Sequence, residues 1–203
     1  MLGLFYIGLF LMLIALPLHF ISIEHIFLEE KLGPELGKRV GEVLGYISGW
    51  GFFIGWIIIW FAPQPRFLLN PFGIVIMIPF LRIITSLLHL VIFAIFFTLG
   101  FYFGVKGVMD LGLRVSETHR PERVVTSGIY SMVRHPQYLG GFLAHIGLSF
   151  LLSARYSLLL TPLIALILYL MAWKEEKELI REFGAEYEEY KKRVPMFIPK
   201  IRL

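Results

Sequence analysis

Gly128-Ile129-Tyr130-Ser131-Met132-Val133-Arg134-His135-Pro136-Gln137-Tyr138 gathers Arg, His and two Tyr around a helix-starting proline, directly ahead of a hydrophobic run. Where the following hydrophobic run ends, the sequence turns polar at Lys174-Glu175-Glu176. Two such runs fold as an antiparallel membrane hairpin, which puts its two ends at the same depth. The carboxylates then face His and Tyr across a narrow gap, suited to a zwitterionic or cationic ligand. Chemistry at a membrane surface needs that arrangement; a plain structural membrane protein does not.

The rest of the chain fits a membrane setting. Its 203 residues are 57% hydrophobic, with a mean hydropathy of +0.74. That is too apolar for a soluble domain of this size, so the expected fold is all-α and polytopic, with about five transmembrane helices. Residues 1–23 carry no Asp, Glu, Lys or Arg. Lacking a basic start and a small-residue cleavage site, they read as a retained helix rather than a signal peptide. The chain has no cysteine, which excludes disulfides, thiolate metal sites and a cysteine nucleophile. No metal site is expected.

Working outward from the hairpin, spans four and five are expected over residues 136–153 and 157–173, both near the short limit, with Pro136 suited to a first helical position. Upstream, span one covers residues 2–23, span two 43–62 and span three 85–104. A short interfacial or tilted piece is expected over 72–82, because residues 67–105 are too long for one span and too short for two. Glycines 45, 49, 51 and 55 allow close helix approach, and Gly45–Gly49 has small-xxx-small spacing. The chain divides into an N-terminal membrane part, 1–105, and a part comprising connector, hairpin and C-terminal helix, 106–203. In the latter, Leu179, Ile180, Phe183, Tyr187 and Tyr190 recur at helical steps as an apolar stripe.

The net charge is +4. Its basic residues cluster at Lys31, Lys38 and Arg39, in the connector from Lys106 to Arg134 (His119 and Arg120 included), and in the tail from Lys174 to Arg202. With five spans all three clusters fall on one side, so the positive-inside rule makes the C-terminus cytoplasmic and the N-terminus external. Seven glutamates interleave with the eight Lys and Arg of the tail, which argues against nucleic-acid binding.

Taken singly, the polar residues have ordinary readings. Arg134-His135 with Tyr138 resembles an interfacial cluster, and Glu175-Glu176 a solvated helix start. His145 lies two turns after Tyr138 on the same face: a candidate to touch an acceptor, or equally a satisfied intramembrane histidine. His89 stands likewise in span three, where an ionisable side chain is a functional suspect by default.

Together the motifs say more. Val124-Val125-Thr126-Ser127-Gly128-Ile129-Tyr130, then Arg134-His135-Pro136-Gln137-Tyr138-Leu139-Gly140, then Glu175-Glu176 and Phe183-Gly184-Ala185-Glu186-Tyr187-Glu188-Glu189-Tyr190, resemble the isoprenylcysteine carboxyl methyltransferases. The related phospholipid methyltransferases share the His-Pro-x-Tyr and Glu-Glu elements. The resemblance implies a membrane enzyme that uses S-adenosylmethionine and a lipophilic acceptor from the bilayer. Carried over by position, Arg123, Val124 and Val125 edge the adenine; Tyr130, His135, Pro136, Gln137 and Tyr138 line the cofactor pocket. Glu175 contacts the cofactor with Glu176 in support, the stripe with Phe183 and Tyr187 is the underside of a lid, and His135, Glu175 and Arg134 form the catalytic set.

One position departs from the pattern. The carboxyl methyltransferases carry an arginine one turn before that glutamate; here it is Met171, whose thioether cannot make the bidentate pair an arginine offers a carboxylate. His145 and Met171 are thus the expected substrate-side residues, and an amine, phenol, thiol or lipid headgroup becomes the more natural acceptor. Two alternatives stay open: an NADPH-dependent membrane sterol-type reductase and a non-catalytic membrane scaffold.

Overall fold

The computed structural model describes residues 2–118 and 121–199; His119, Arg120 and the basic tail end with Arg202 lie outside these. Three helices are long and apolar enough to cross a membrane: α1 (Gly3–Ser22), α3 (Pro34–Phe61) and α4 (Leu87–Leu111). A short α2 (His25–Leu32) joins the first two. Helix α3 starts at Pro34, earlier than the apolar run alone suggests. Gly33, at φ +82°, breaks the chain and Pro34 restarts it at N1, so a charged turn is added on the near side of the span. Likewise α4 runs past residue 104 to Leu111 before Gly112 ends it.

The C-terminal hairpin consists of α6 (Pro136–Leu151), a one-turn α7 (Arg155–Leu159) and α8 (Thr161–Phe183). Helix α6 has 16 residues, about 24 Å at 1.5 Å per residue, against a hydrocarbon core of about 30 Å. The count of five spans is therefore not met by length: among the described residues three helices qualify. Helix α8 continues unbroken past Lys174, stops at Gly184 (φ +55°) and leads into α9 (Ala185–Arg193).

Between α3 and α4 the structure departs from all-helical. Val75–Ile78 and Ile83–Ser86 pair as an antiparallel hairpin, β1 and β2, in the register Val75↔Ser86 to Ile78↔Ile83. The β-branched run Ile74-Val75-Ile76 ahead of Pro79 favours strand over helix. Ser86 then caps α4 by accepting from the His89 amide. His89 itself is fully buried, and Nδ1 donates to the Phe150 carbonyl at 3.0 Å, so Nε2 is left to accept from Leu69 N–H at 3.1 Å. It staples a loop to the far end of the hairpin, away from the polar clusters.

The helices pack as two pairs, α1 along α3 and α4 along α6. In the second pair the backbones touch: a Cβ on Gly140 would lie 2.4 Å from the Gly104 nitrogen and 2.6 Å from the Gly100 carbonyl. Of glycines 45, 49, 51 and 55 on α3 only Gly55 meets another membrane-spanning helix, at Gly8 of α1; outside that set, Gly41 meets the Ser22 carbonyl at the end of α1. Gly45 backs onto the one-turn α5 (Leu113–Thr118), and Gly49 and Gly51 have nothing within 4 Å. The Gly45–Gly49 spacing therefore makes no seam between membrane-spanning helices. Instead it opens an apolar cavity between α3 and α4, floored by α6 and α8 and spanning about 1880 Å³ of empty space, open side included.

Candidate functional site

The connector, the two ends of the hairpin and α9 converge on a polar cleft of about 860 Å³, open mouth included. Its near wall is set by a turn at Gly128–Ser131. Asp110 at the end of α4 accepts from Ile129 N–H at 2.8 Å and pairs with Lys106 at 2.7 Å. Gly128 must be glycine here, because φ is +60° and a Cβ would fall 2.1 Å from an Asp110 oxygen. The turn presents Tyr130, whose hydroxyl receives a bond from Gln137 Nε2 at 3.2 Å; Gln137 also donates to Ser116 of α5 at 2.8 Å.

At the hairpin ends the predicted confrontation is present. His135 stacks parallel to Tyr138, ring centres 5.6 Å apart. Its Nδ1 lies 3.5 Å from Glu175 Oε2 and its Nε2 3.3 Å from Glu176 Oε1, so the imidazole bridges the two carboxylates. Tyr138 donates its hydroxyl to Glu175 Oε1. Burial alone would lower the His135 pKa, but the bonds to Glu175 and Glu176 outweigh it and the net shift is upward. For Glu176, burial would raise the pKa. The His135 bond, Lys191 and Arg134 win, and it is lowered to about 2.

Arg134 is 8% exposed and fully engaged. Its Nε and Nη2 hold Glu176 Oε1 at 2.7 and 2.6 Å, while Nη1 donates to the Lys191 and Val194 carbonyls. Its own amide and that of His135 donate to the Pro195 and Met196 carbonyls. The guanidinium thus ties the end of α9 to the start of α6. The apolar stripe also finds its partner: Tyr187, Tyr190 and Val194 pack with Leu179, Ile180, Phe183 and Val124, so α9 closes on the connector.

Of the residues expected around a cofactor, Arg123, Val124, Val125 and Tyr130 line the cleft from the connector side. His135, Gln137, Tyr138 and Glu175 line it from the hairpin. Pro136 and Glu176 do not. Pro136 is buried in the first turn of α6 against Gly107, and Glu176, 1% exposed, is an internal strut beneath His135. On the substrate side, Met171 lines the apolar cavity. His145 does not reach it: fully buried, its Nδ1 accepts from Trp56 at 2.9 Å and Trp60 at 3.1 Å.

Several contributors escaped the sequence reading. His19 of α1 is fully buried, with Nε2 3.1 Å from Glu175 Oε1. His25, Glu178 and Glu182 line the cleft as well. A lone histidine in the otherwise apolar first span was the available signal for His19; nothing local marked the others.

The cleft and the apolar cavity share Ser116, Gln137 and Tyr138 as a common wall. Glu117 is the one Asp, Glu, Lys, Arg or His among the described residues lining the apolar cavity.

The family described as phospholipid methyltransferase matches residues 74–186. The protein-S-isoprenylcysteine O-methyltransferase of Schizosaccharomyces pombe is 35% identical over 119 residues, 52% of this chain and 48% of that protein. Its Homo sapiens namesake is 39% identical over 95 residues, 43% of this chain and 30% of its own. Methanethiol S-methyltransferase 2 of Bradyrhizobium diazoefficiens is 40% identical over 73 residues, 36% of this chain and 27% of its own. The matches thus span about half or less of these relatives' length. No solved structure gives a significant match. The family match covers more than half of the chain and takes in Asp110, the Arg-His-Pro segment and both glutamates; this membrane protein belongs to the phospholipid methyltransferase family.

Proposed function

We propose that the chain is a membrane methyltransferase that takes S-adenosylmethionine into the polar cleft and a lipophilic acceptor into the apolar cavity. The observation that carries this reading is the meeting of the two spaces at Ser116, Gln137 and Tyr138 in a chain of this family. A soluble ligand and a bilayer ligand can approach each other across that wall.

The cleft suits a zwitterionic nucleoside ligand. Glu175, Glu178 and Glu182 can accept from an ammonium or from ribose hydroxyls, Arg123 offers a cation to a carboxylate, and Val124, Leu179 and the Tyr187 ring offer apolar surface to a base. When bound, S-adenosylmethionine supplies a methyl group on a sulfonium, which an in-line nucleophile takes without a covalent enzyme intermediate. The work left to the protein is alignment and exclusion of water, which can contribute roughly 7–11 kcal/mol. Tyr138 holds Glu175 at the junction, and His135 orients both carboxylates. A bridging imidazole with a raised pKa is a binding group rather than a proton acceptor. Arg134 lines the cleft and also braces it through Glu176 and the end of α9.

Met171 and the other lining residues give the apolar cavity no cation among the described residues. An anionic headgroup would be desolvated there without a counter-ion, so the acceptor is a lipophile with an amine, thiol or other uncharged nucleophile. The basic segments support a cytoplasmic side for the cleft and the C-terminus, by the positive-inside rule. That assignment is indifferent to whether α6–α8 crosses fully, because a hairpin returns to the side it left.

S-adenosylhomocysteine titrated against the detergent-solubilised protein tests the reading. Binding is expected, weakened at least tenfold by Glu175→Ala with little change in the thermal midpoint of the ligand-free protein. Unchanged affinity in that variant removes Glu175 from the cofactor site. No binding by well-folded wild-type protein overturns the methyltransferase reading and makes NADPH the next ligand to try.

A further inference from the structure

Trp56 and Trp60 sit one turn apart on α3, stacked with ring centres 5.5 Å apart, and both line the apolar cavity. Their indole N–H groups point away from it. Both donate to the single lone pair of His145 Nδ1, at 2.9 and 3.1 Å. That fixes Nε2 as the protonated nitrogen, and it faces Thr161 Oγ1 at 3.3 Å, while Thr161 passes its own hydrogen to the Leu158 carbonyl. The indole is a donor only, and in an apolar interior an unpaired N–H is costly. Losing the imidazole would therefore release both rings from their present orientation. The edge of Trp56 also rests on Gly141, where a Cβ would come within 3.1 Å of the ring.

The location gives the latch a consequence. Tyr138, at the junction with the cleft, and Leu148 both line the cavity from α6. Ten helical residues separate them, roughly 15 Å along the axis. Leu148 therefore marks the end of the cavity remote from the proposed reaction centre, whereas Trp56 rests on Gly141, one turn from Tyr138, with Trp60 stacked on it one turn further along α3.

We propose that His145 is a positioning residue for acceptor selection: by latching Trp56 and Trp60 it holds the aromatic wall of the cavity in one orientation and sets the length of apolar tail that fits. The inference rests on the methyltransferase reading for the identity of the occupant, but the geometry of the wall stands apart from it. His145 touches neither cofactor nor acceptor, so its contribution appears in which tail is chosen, not in whether the cofactor binds.

The test uses full-length protein in detergent with Trp50→Phe and Trp173→Phe, which leaves Trp56 and Trp60 as the fluorescent residues. Alkyl amines brominated at the chain end, with octyl, dodecyl and hexadecyl tails, are titrated as quenchers. Saturable quenching with one preferred length is expected. His145→Leu should weaken binding of the preferred length at least fivefold and flatten the preference, with S-adenosylhomocysteine affinity unchanged within twofold. His145→Gln, which keeps an acceptor, should restore the preference. A His145→Leu protein that loses thermal stability but keeps the preference overturns the proposal and leaves His145 merely structural. Should that variant fail to fold, Trp60→Phe removes one N–H and keeps a ring; an unchanged preference there overturns the proposal equally. Length-selective, His145-dependent quenching without any S-adenosylhomocysteine binding would sustain the latch while removing the methyltransferase reading.

Discussion

His135 and Glu176 titrate in opposite senses, and the fold depends on both. Glu176 has a folded pKa of about 2 against an ordinary 4.5, so its ion pairs stabilise the protein fully above about pH 4.5 and fade as pH falls toward 2. His135 has a raised folded pKa against an ordinary 6.5, so its bridge stabilises fully below about pH 6.5 and is lost as pH climbs through the raised value. The thermal midpoint of the detergent-solubilised protein is expected to peak between about pH 4.5 and 6.5 and to fall on both sides. A midpoint rising steadily to pH 8 would contradict the bridging imidazole. Glu176→Ala strips Arg134, His135 and Lys191 of their shared anion, and breaking a buried pair of this kind costs about 3–5 kcal/mol. At this scale the sequence was informative about which residues meet and silent about their division of labour. Glu176 looks like a site residue in sequence and is a strut in space, and Arg134 both lines the cleft and braces it, because nothing local shows that the Val194 and Lys191 carbonyls will reach the guanidinium.

Helix α6 carries Gln137 and Tyr138 in its first turn, so its seating on α4 sets the position of the wall between cleft and cavity. That seating is backbone against backbone at Gly100, Gly104 and Gly140. Gly140→Ala forces the helices apart, and overpacking of this kind costs about 1–3 kcal/mol; S-adenosylhomocysteine affinity should fall with it. Gly49→Ala, with open space around it, is the control and should leave thermal midpoint and affinity unchanged. Equal behaviour of the two variants would refute the close contact. Both glycines sit in apolar helices with small residues four positions away, and sequence spacing does not say which faces a helix and which a void. The β-hairpin illustrates the converse. A short apolar run between Gly73 and Pro79 reads equally as an interfacial piece, and its strand character emerges only when residues 83–86 lie beside it.

For the whole molecule, the arrangement of two unlike spaces on either side of one wall governs what can react. The apolar cavity offers an acid no cation among the described residues, and its one charged lining residue, Glu117, has the same sign. Supplied with S-adenosylmethionine, the protein is expected to turn over a prenylcysteine acid at least tenfold less efficiently, in kcat/KM, than an acceptor of the same tail with an uncharged amine or thiol; tenfold corresponds to about 1.4 kcal/mol. Equal efficiency would place a cation near the acceptor and refute the anion-excluding cavity.

Hydrophobic runs and their punctuation determined the three long helices, the final hairpin and the level at which His135 faces Glu175. Those follow from local periodicity, helix-starting prolines and the need to satisfy backbone groups in lipid. The order of polar motifs likewise marked residues 120–199 as the functional half. Only the tertiary structure brought His19 from the first span to Glu175, turned His145 toward two tryptophans instead of a ligand, and set α3 apart from α4 to leave a cavity. Each of these depends on helix rotation and crossing, fixed by contacts between residues far apart in sequence, to which a periodic pattern along one chain carries no pointer.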